Sequence, residues 1–165
     1  MKAMLLVLLL SVSLSLTNAK RIRFKNCKSA FTIHEIDIDP CRSQVNTYCP
    51  MVRGTSPQLR LTFTTNRQVD NLTAIVRARV GSLVTPYDIG NTNPCLNSNL
   101  TCPLEAGQKY TYVASVPIKS VFPKLKKIFV NWILNDPSND DDPSAQRKRE
   151  ICFIFRVKIV DADEV

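Results

Sequence analysis

Apolar residues recur at every second position through most of the chain, the pattern of strands with one buried face. Leu59, Leu61 and Phe63 alternate with Arg60, Thr62 and Thr64, and Leu72, Ala74, Val76, Ala78 and Val80 alternate with Thr73, Arg77 and Arg79. Tyr110, Tyr112, Ala114 and Val116 form a further stripe, Ile128, Val130, Trp132 and Leu134 another, and Ile151, Phe153, Phe155, Val157 and Ile159 the last. The first strand changes phase. Phe31 and Ile33 belong to one alternation and Ile36 and Ile38 to the other, so a bulge or a crossing edge strand is expected near His34 and Glu35. Turn chemistry separates the stripes at Pro57, Asn66, Gly81, Gly90 to Pro94, Gly107, Pro123 and the polar stretch Asn135 to Glu150. No segment carries a capped helical stripe. Strands at this spacing predict an all-β, immunoglobulin-like sandwich of two antiparallel sheets.

The N-terminus is patterned differently. Lys2 precedes an unbroken apolar run from Met4 to Leu10, continued by Val12, Leu14 and Leu16, and Thr17-Asn18-Ala19 ends in a small residue. This is the layout of a cleaved signal peptide over residues 1–19, and the run is too short and too serine-broken to span a bilayer well. An uncleaved anchor is the alternative. The domain is then residues 20–165, carrying a net charge of +7 because Lys2 is the one charge removed from the +8 of the whole chain. A chain of this size buries roughly 68% of its unfolded surface, enough for a single domain with its own core. Export to the extracellular space or the lysosomal lumen puts six cysteines, Cys27, Cys41, Cys49, Cys95, Cys102 and Cys152, in oxidising surroundings, where they read as three bridges. Their spacing alone does not choose the pairing. Asn71-Leu72-Thr73 and Asn99-Leu100-Thr101 are sequons, making Asn71 and Asn99 candidate glycosylation sites.

Catalytic chemistry finds few residues to use. The one histidine, His34, sits in a strand-like run with no nucleophile motif beside it, and the cysteines read as bridges, so neither an enzyme nor a cofactor is expected. A lone histidine without free cysteines builds no zinc shell. The charge run Asp136, Asp140, Asp141, Asp142, Arg147, Lys148 and Arg149 lacks the glycine that a calcium loop needs at its sixth position, so it reads as a solvated hairpin tip and no metal is expected. The basic balance is unaccompanied by any finger, ribonucleoprotein or helix-turn-helix pattern, which argues against nucleic acid as a partner.

Several blocks together resemble the ML-domain lipid-recognition family, which includes the Niemann-Pick type C2 sterol carriers and mite group 2 allergens. They are Phe24 to Cys27, Ile36 to Cys41, Cys49 to Gly54, Pro86 to Ile89, Cys102 to Leu104, Gly107 to Tyr112 and Val116 to Pro123. The resemblance covers essentially all of residues 20–165 and implies two sheets splayed around a lipid cavity. It implies bridges Cys27 to Cys152, Cys41 to Cys49 and Cys95 to Cys102. It also implies that Tyr87, Ile118 and Phe122 touch the ligand. This chain departs from the sterol carriers in a segment one residue longer after Phe122, a longer and more charged Asn135 to Glu150 loop, and Gly90-Asn91-Thr92-Asn93 in place of a proline-rich approach to Cys95.

Without the resemblance, the stripes describe a packed interior, since packed interiors are the norm. A dry cavity of roughly 300 Å³ would cost on the order of 7 kcal/mol, so a hollow chain should collapse partly or keep a lipid. A ligand burying about ten methylenes gains roughly 8 kcal/mol by transfer, enough for micromolar binding before ordering costs. The resulting expectation is a monomeric, non-enzymatic carrier of a sterol, fatty acid or similar lipid. Tyr87, Ile118 and Phe122 stand at its mouth, and strand phase offers Phe63, Val80, Val130, Trp132 and Phe153 as walls. Lys119, Lys124, Lys126 and Lys127 form a candidate basic rim for an anionic membrane surface. The alternative is a protein-binding or innate-immune module on the same sandwich with a solid core.

Overall fold

The computed structural model describes residues 19–43, 47–139 and 149–165. The apolar N-terminal run through Asn18 and the middle of the charged loop, with Asp140, Asp141, Asp142, Arg147 and Lys148, lie outside the described residues. Among the described residues ten strands form two sheets. The smaller is ordered β1 (Lys20–Arg21), β3 (Thr32–Asp39), β5 (Gln58–Thr64), β8 (Lys109–Ser115). The larger is ordered β2 (Phe24–Asn26), β10 (Ile151–Val160), β9 (Leu125–Asn135), β6 (Thr73–Val80), β7 (Leu83–Pro86). A further strand, β4 (Cys49–Val52), joins the edge of β10. Among the described residues no helix is long and apolar enough to cross a membrane.

The alternating stripes are the buried faces of these strands. Leu59, Leu61 and Phe63 on β5, Val76 on β6, Tyr112 on β8, Trp132 on β9 and Phe153 on β10 all lie in one apolar cluster between the sheets. The change of phase in β3 is a bulge: its pairing with β5 shifts register between Ile33 and Glu35. The extra residue moves Ile36 and Ile38 onto the inner face, and His34, left on the outside, meets the Thr64 hydroxyl at 2.8 Å.

Two features depart from expectation. The larger sheet is not wholly antiparallel, because β4 runs parallel to β10 from Cys49 opposite Val157 to Val52 opposite Val160. Asp136 and Glu150, expected in a solvated tip, are both buried and both take a hydrogen bond from Arg67 Nη2, at 2.9 and 2.6 Å. Burial pushes the Asp136 carboxyl up, but the Ser138 hydroxyl and amide together with Arg67 hold it below the ordinary carboxylate range. Glu150 also accepts the Asp136 amide at 2.7 Å, so the two ends of the charged loop are tied at the rim of the sandwich. A charge buried without its partner is costly, which is why these two share an arginine that reaches solvent.

The disulfides are Cys27–Cys152, Cys41–Cys49 and Cys95–Cys102, the pairing that the resemblance implies. The first spans 125 residues and joins β10 to the turn after β2, so it removes about twice the unfolded-chain entropy of either local bridge.

Trp132 is the largest of the fully buried side chains among the described residues. Its ring stacks on Phe153 at 6.4 Å and meets Tyr112 edge-on at 6.3 Å, while Phe31, Phe63 and Tyr110 form a second aromatic row in the same core. Trp132→Ala is expected to destabilise the domain by roughly 3–5 kcal/mol, because rigid rings on several sides cannot collapse into the hole. Chemical denaturation would measure it, and a loss below about 1 kcal/mol would show that these rings do not form the load-carrying core.

Candidate functional site: an apolar cavity between the sheets

The interior is solid at one end and hollow at the other. The cavity measures about 380 Å³ and opens where β6, β7, β9 and β10 meet the segment from Val116 to Pro123. Alternation explains its lining. Val76, Ala78 and Val80 of β6, Ile128 and Val130 of β9, and Phe155, Val157 and Ile159 of β10 are the inward residues of three adjacent strands. Met51 of β4 and Leu125 extend the wall. All of these are apolar, and the polar side chains on the lining, Thr85, Asp88 and Lys119, are near the mouth segments.

Five of the eight residues expected at the ligand line the cavity: Tyr87, Ile118, Phe122, Val80 and Val130. Phe63, Trp132 and Phe153 do not. They are fully buried in the aromatic cluster, which fills the opposite end. Strand phase tells which face a residue is on but not how far along the sandwich it lies, and the large flat rings pack against one another where the sheets are close. Phe155 joins the two regions, lining the cavity while stacking on Phe153 at 5.8 Å. A wholly solid core, which the alternative reading requires, is not what these strands enclose.

The mouth is held in shape by specific bonds. The Tyr87 hydroxyl donates to the Pro117 carbonyl at 2.5 Å, and its ring lies 6.1 Å from that of Phe122. Burial, reinforced by the Asp88 carboxylate, pushes the Tyr87 phenol up to about 12, so it stays a neutral donor near neutral pH. Ile118 is fixed by its backbone, which donates to the Thr55 carbonyl at 2.8 Å and accepts the Gly54 amide at 2.6 Å. Gly54 sits at φ +77, in the left-handed region that favours glycine, and that conformation aims its amide at the mouth segment.

Phe122 is tied less directly. Arg53 Nη1 donates to the Phe122 carbonyl at 3.2 Å, and Arg53 Nε donates to Asp161 at 2.7 Å. Lys124, two residues beyond Phe122, pairs with Asp161 at 3.2 Å and Glu164 at 3.3 Å. The C-terminal turn Ala162–Glu164 thus straps the mouth segment to the turn after β4. This changes the expected basic rim. Lys124 is committed to two carboxylates, and Lys127 lies 5.4 Å over the ring of Phe129, which alternates with the wall residues Ile128 and Val130. Lys119 and Lys126 are exposed, and Lys119 borders the cavity. The sequons are accessible too, with Asn71 and Asn99 both exposed.

A two-sheet fold with three disulfides, splayed at one end around an aliphatic cavity, defines a class of protein, and residues 21–159 match the ML domain. The chain belongs to that family. It is 34% identical over 122 residues to NPC intracellular cholesterol transporter 2 of Bos taurus, covering 73% of this chain and 78% of the bovine protein. The protein of the same name from Danio rerio is 30% identical over 155 residues, covering 93% and 95%. Among solved structures, the Niemann-Pick type C2 protein of the Japanese carpenter ant superposes with a TM-score of 0.71 at 18% identity, over 84% of this chain and all of that one. Chicken MD-1 complexed with lipid IVa superposes at 0.51 and 15% identity, over 85% and 96%. The two structures share the fold.

The strap makes a prediction about acid. Hydrogen bonding from Arg53 and pairing with Lys124 hold the Asp161 carboxyl below the ordinary range, and the Asp161 backbone and Lys124 do the same for Glu164. Groups with depressed folded values contribute above the unfolded value of about 4 and lose that contribution only as pH falls below it. The strap should therefore stay closed between about pH 7 and 5, and Asp161→Asn should loosen it at both. Hydrogen exchange of the Phe122 amide, which donates to the Lys119 carbonyl at 3.1 Å, would read this out. Loss of protection in the unaltered chain near pH 5 would contradict it.

Proposed function

We propose that this protein is a non-enzymatic carrier that holds a sterol, fatty acid or similar lipid between its sheets. The observation that carries the reading is the cavity of about 380 Å³, whose deep wall is entirely aliphatic or aromatic and whose polar groups stand at one end. Such a site offers no group to activate a bond. It rewards shape and desolvation, at about 0.8 kcal/mol for each methylene removed from water. The lipid tail would lie against Val76, Ile128, Val130 and Phe155, and its polar head would remain beside Asp88 and Lys119. Relatives named for cholesterol transport support the same class of ligand.

The remaining features fit an exported chain. Three disulfides suit an oxidising compartment, the N-terminal run through Ala19 would be removed there, and the exposed sequon asparagines Asn71 and Asn99 would carry glycans. Delivery would bring the mouth to an anionic bilayer through Lys119 and Lys126, with the exposed Val121 and Leu83 beside it.

Ala78→Phe is the sharpest test. Ala78 lines the cavity, so an added ring would enter the space that a ligand occupies. Binding of a fluorescent sterol or fatty acid should fall at least about tenfold while the thermal midpoint holds, because filling a void does not overpack a core. Phe122→Ala should weaken binding by a smaller factor. If Ala78→Phe lowered the midpoint by several degrees and left lipid binding unchanged, the cavity would be closed packing and the carrier reading would fail.

A further inference from the structure

Every charged residue carried by a strand of the larger sheet is a cation. Lys25 lies on β2, Arg77 and Arg79 on β6, Lys126 and Lys127 on β9, and Arg156 and Lys158 on β10, and these strands with β4 and β7 contain no aspartate or glutamate. The smaller sheet is mixed, with Glu35, Asp37 and Asp39 on β3 alone.

Register gathers four of these cations, Lys25, Arg77, Arg79 and Arg156, on one surface. Arg77, Asn131, Ile154 and Lys25 form a row across β6, β9, β10 and β2, and Arg79, Phe129 and Arg156 form the next. Cross-strand partners share a face, and the neighbours of these residues in sequence, Ala78, Val130, Phe155 and Val157, line the cavity. The basic rows therefore cover the outer face, away from the cavity. With strands about 4.8 Å apart, Arg79 and Arg156 stand roughly 10 Å apart, within an array four strands wide.

Two aromatic rings organise the array. Arg79 and Lys127 lie over Phe129 at 4.8 and 5.4 Å, and Arg156 and Lys158 lie over Tyr48 at 5.5 and 5.1 Å. Each ring holds two like charges close together, and an anion seated between them would relieve their repulsion. None of the six outer cations makes an ion pair among the described residues; the salt bridges belong to Arg21, Arg53, Arg67 and Lys124. Apart from Lys25 on the edge strand β2, these charges guard no edge, since β6, β9 and β10 each have neighbours on both sides.

We infer that the outer face of the larger sheet is a docking surface for a sulfated polysaccharide, bound through Lys25, Arg77, Arg79, Lys127, Arg156 and Lys158. Guanidinium forks held on rings in a flat, rigid lattice match a chain whose oxyanions are fixed along its length. A fluid bilayer gains little from such fixed spacing, and the most exposed apolar residues, Val121 and Leu83, lie by the cavity mouth instead. Because the two faces of the sheet are separate, glycan and lipid would bind together.

Heparin titration of the full-length exported chain, over a series of salt concentrations, tests this. Arg77→Glu with Arg79→Glu should weaken heparin binding by about tenfold or more near physiological salt, and should lower the slope of log K against log salt by roughly one per cation removed. Lys25→Gln with Lys127→Gln, a milder pair, should shift both in the same direction. Arg60→Glu with Lys109→Glu on the smaller sheet, an equal change in net charge, should leave affinity nearly unaltered, and a bound fluorescent lipid should stay bound at saturating heparin. Circular dichroism establishes that each variant is folded. Equal losses from the control pair would reduce the effect to net charge and overturn the proposal. So would equal binding to desulfated heparin, or stronger binding of the same face to anionic vesicles or duplex DNA.

Discussion

The stack of rings around Trp132 is the constraint that lets the rest of the molecule be hollow. Two sheets that diverge must touch firmly somewhere, and here they do so through Trp132, Phe153, Tyr112 and Phe63, all fully buried. Offset and edge-on contacts near 6 Å fix both separation and angle, because flat rings interlock in few ways. The indole N–H finds no acceptor among the described residues, so this cluster gains its strength from packing and not from polar bonds. With one end closed, small and branched side chains such as Ala78, Val80 and Val130 at the other end are too short to meet across the gap. The cavity is a consequence of side-chain size along each strand.

A hollow end needs a boundary that can yield. The mouth segment is held by one half-buried phenol, by a glycine turn, and by a strap of solvent-accessible ion pairs around Asp161. These differ in kind. The Tyr87 bond and the Gly54 contact are short hydrogen bonds to backbone carbonyls, whereas ion pairs within reach of solvent contribute little and exchange readily with water. Local opening draws on the weakest fastenings first, so Phe122, held through Arg53, is the part of the boundary best placed to move while Ile118 stays fixed.

Much of this was legible in the sequence, for reasons that also set its limits. Alternation identified the inner faces of β5, β6, β8, β9 and β10, and the broken phase at His34 located the bulge, because burial imposes a period of two. The cysteines and the blocks around Tyr87, Ile118 and Phe122 carried the family resemblance. Depth along the sandwich was not legible. Trp132 and Val130 are on the same face of the same strand, yet one plugs the core and the other lines the cavity, a difference set by what the opposite sheet presents. The short strands β4 and β7 went unread because four residues carry too little pattern, and Pro50 and Pro86 within them argue against a strand. Asp136 and Glu150 read as solvated charge because their partner, Arg67, lies more than sixty residues away in the chain.

The period of two also separates the molecule's two surfaces chemically. On β6, Ala78 and Val80 face the cavity while Arg77 and Arg79 face out; on β10, Phe155 and Val157 face in while Arg156 and Lys158 face out. Neighbours in sequence thus answer to different demands, and a change on one face leaves the other nearly untouched so long as the strand keeps its register. Register is what couples them, since a slip of one residue would put arginine against the cavity and valine in water. The bulge in β3, the paired ends of the charged loop at Arg67 and the long bridge from Cys27 to Cys152 all resist such a slip. An apolar pocket and a basic outer face can coexist on the same strands because their register is fixed from several directions at once.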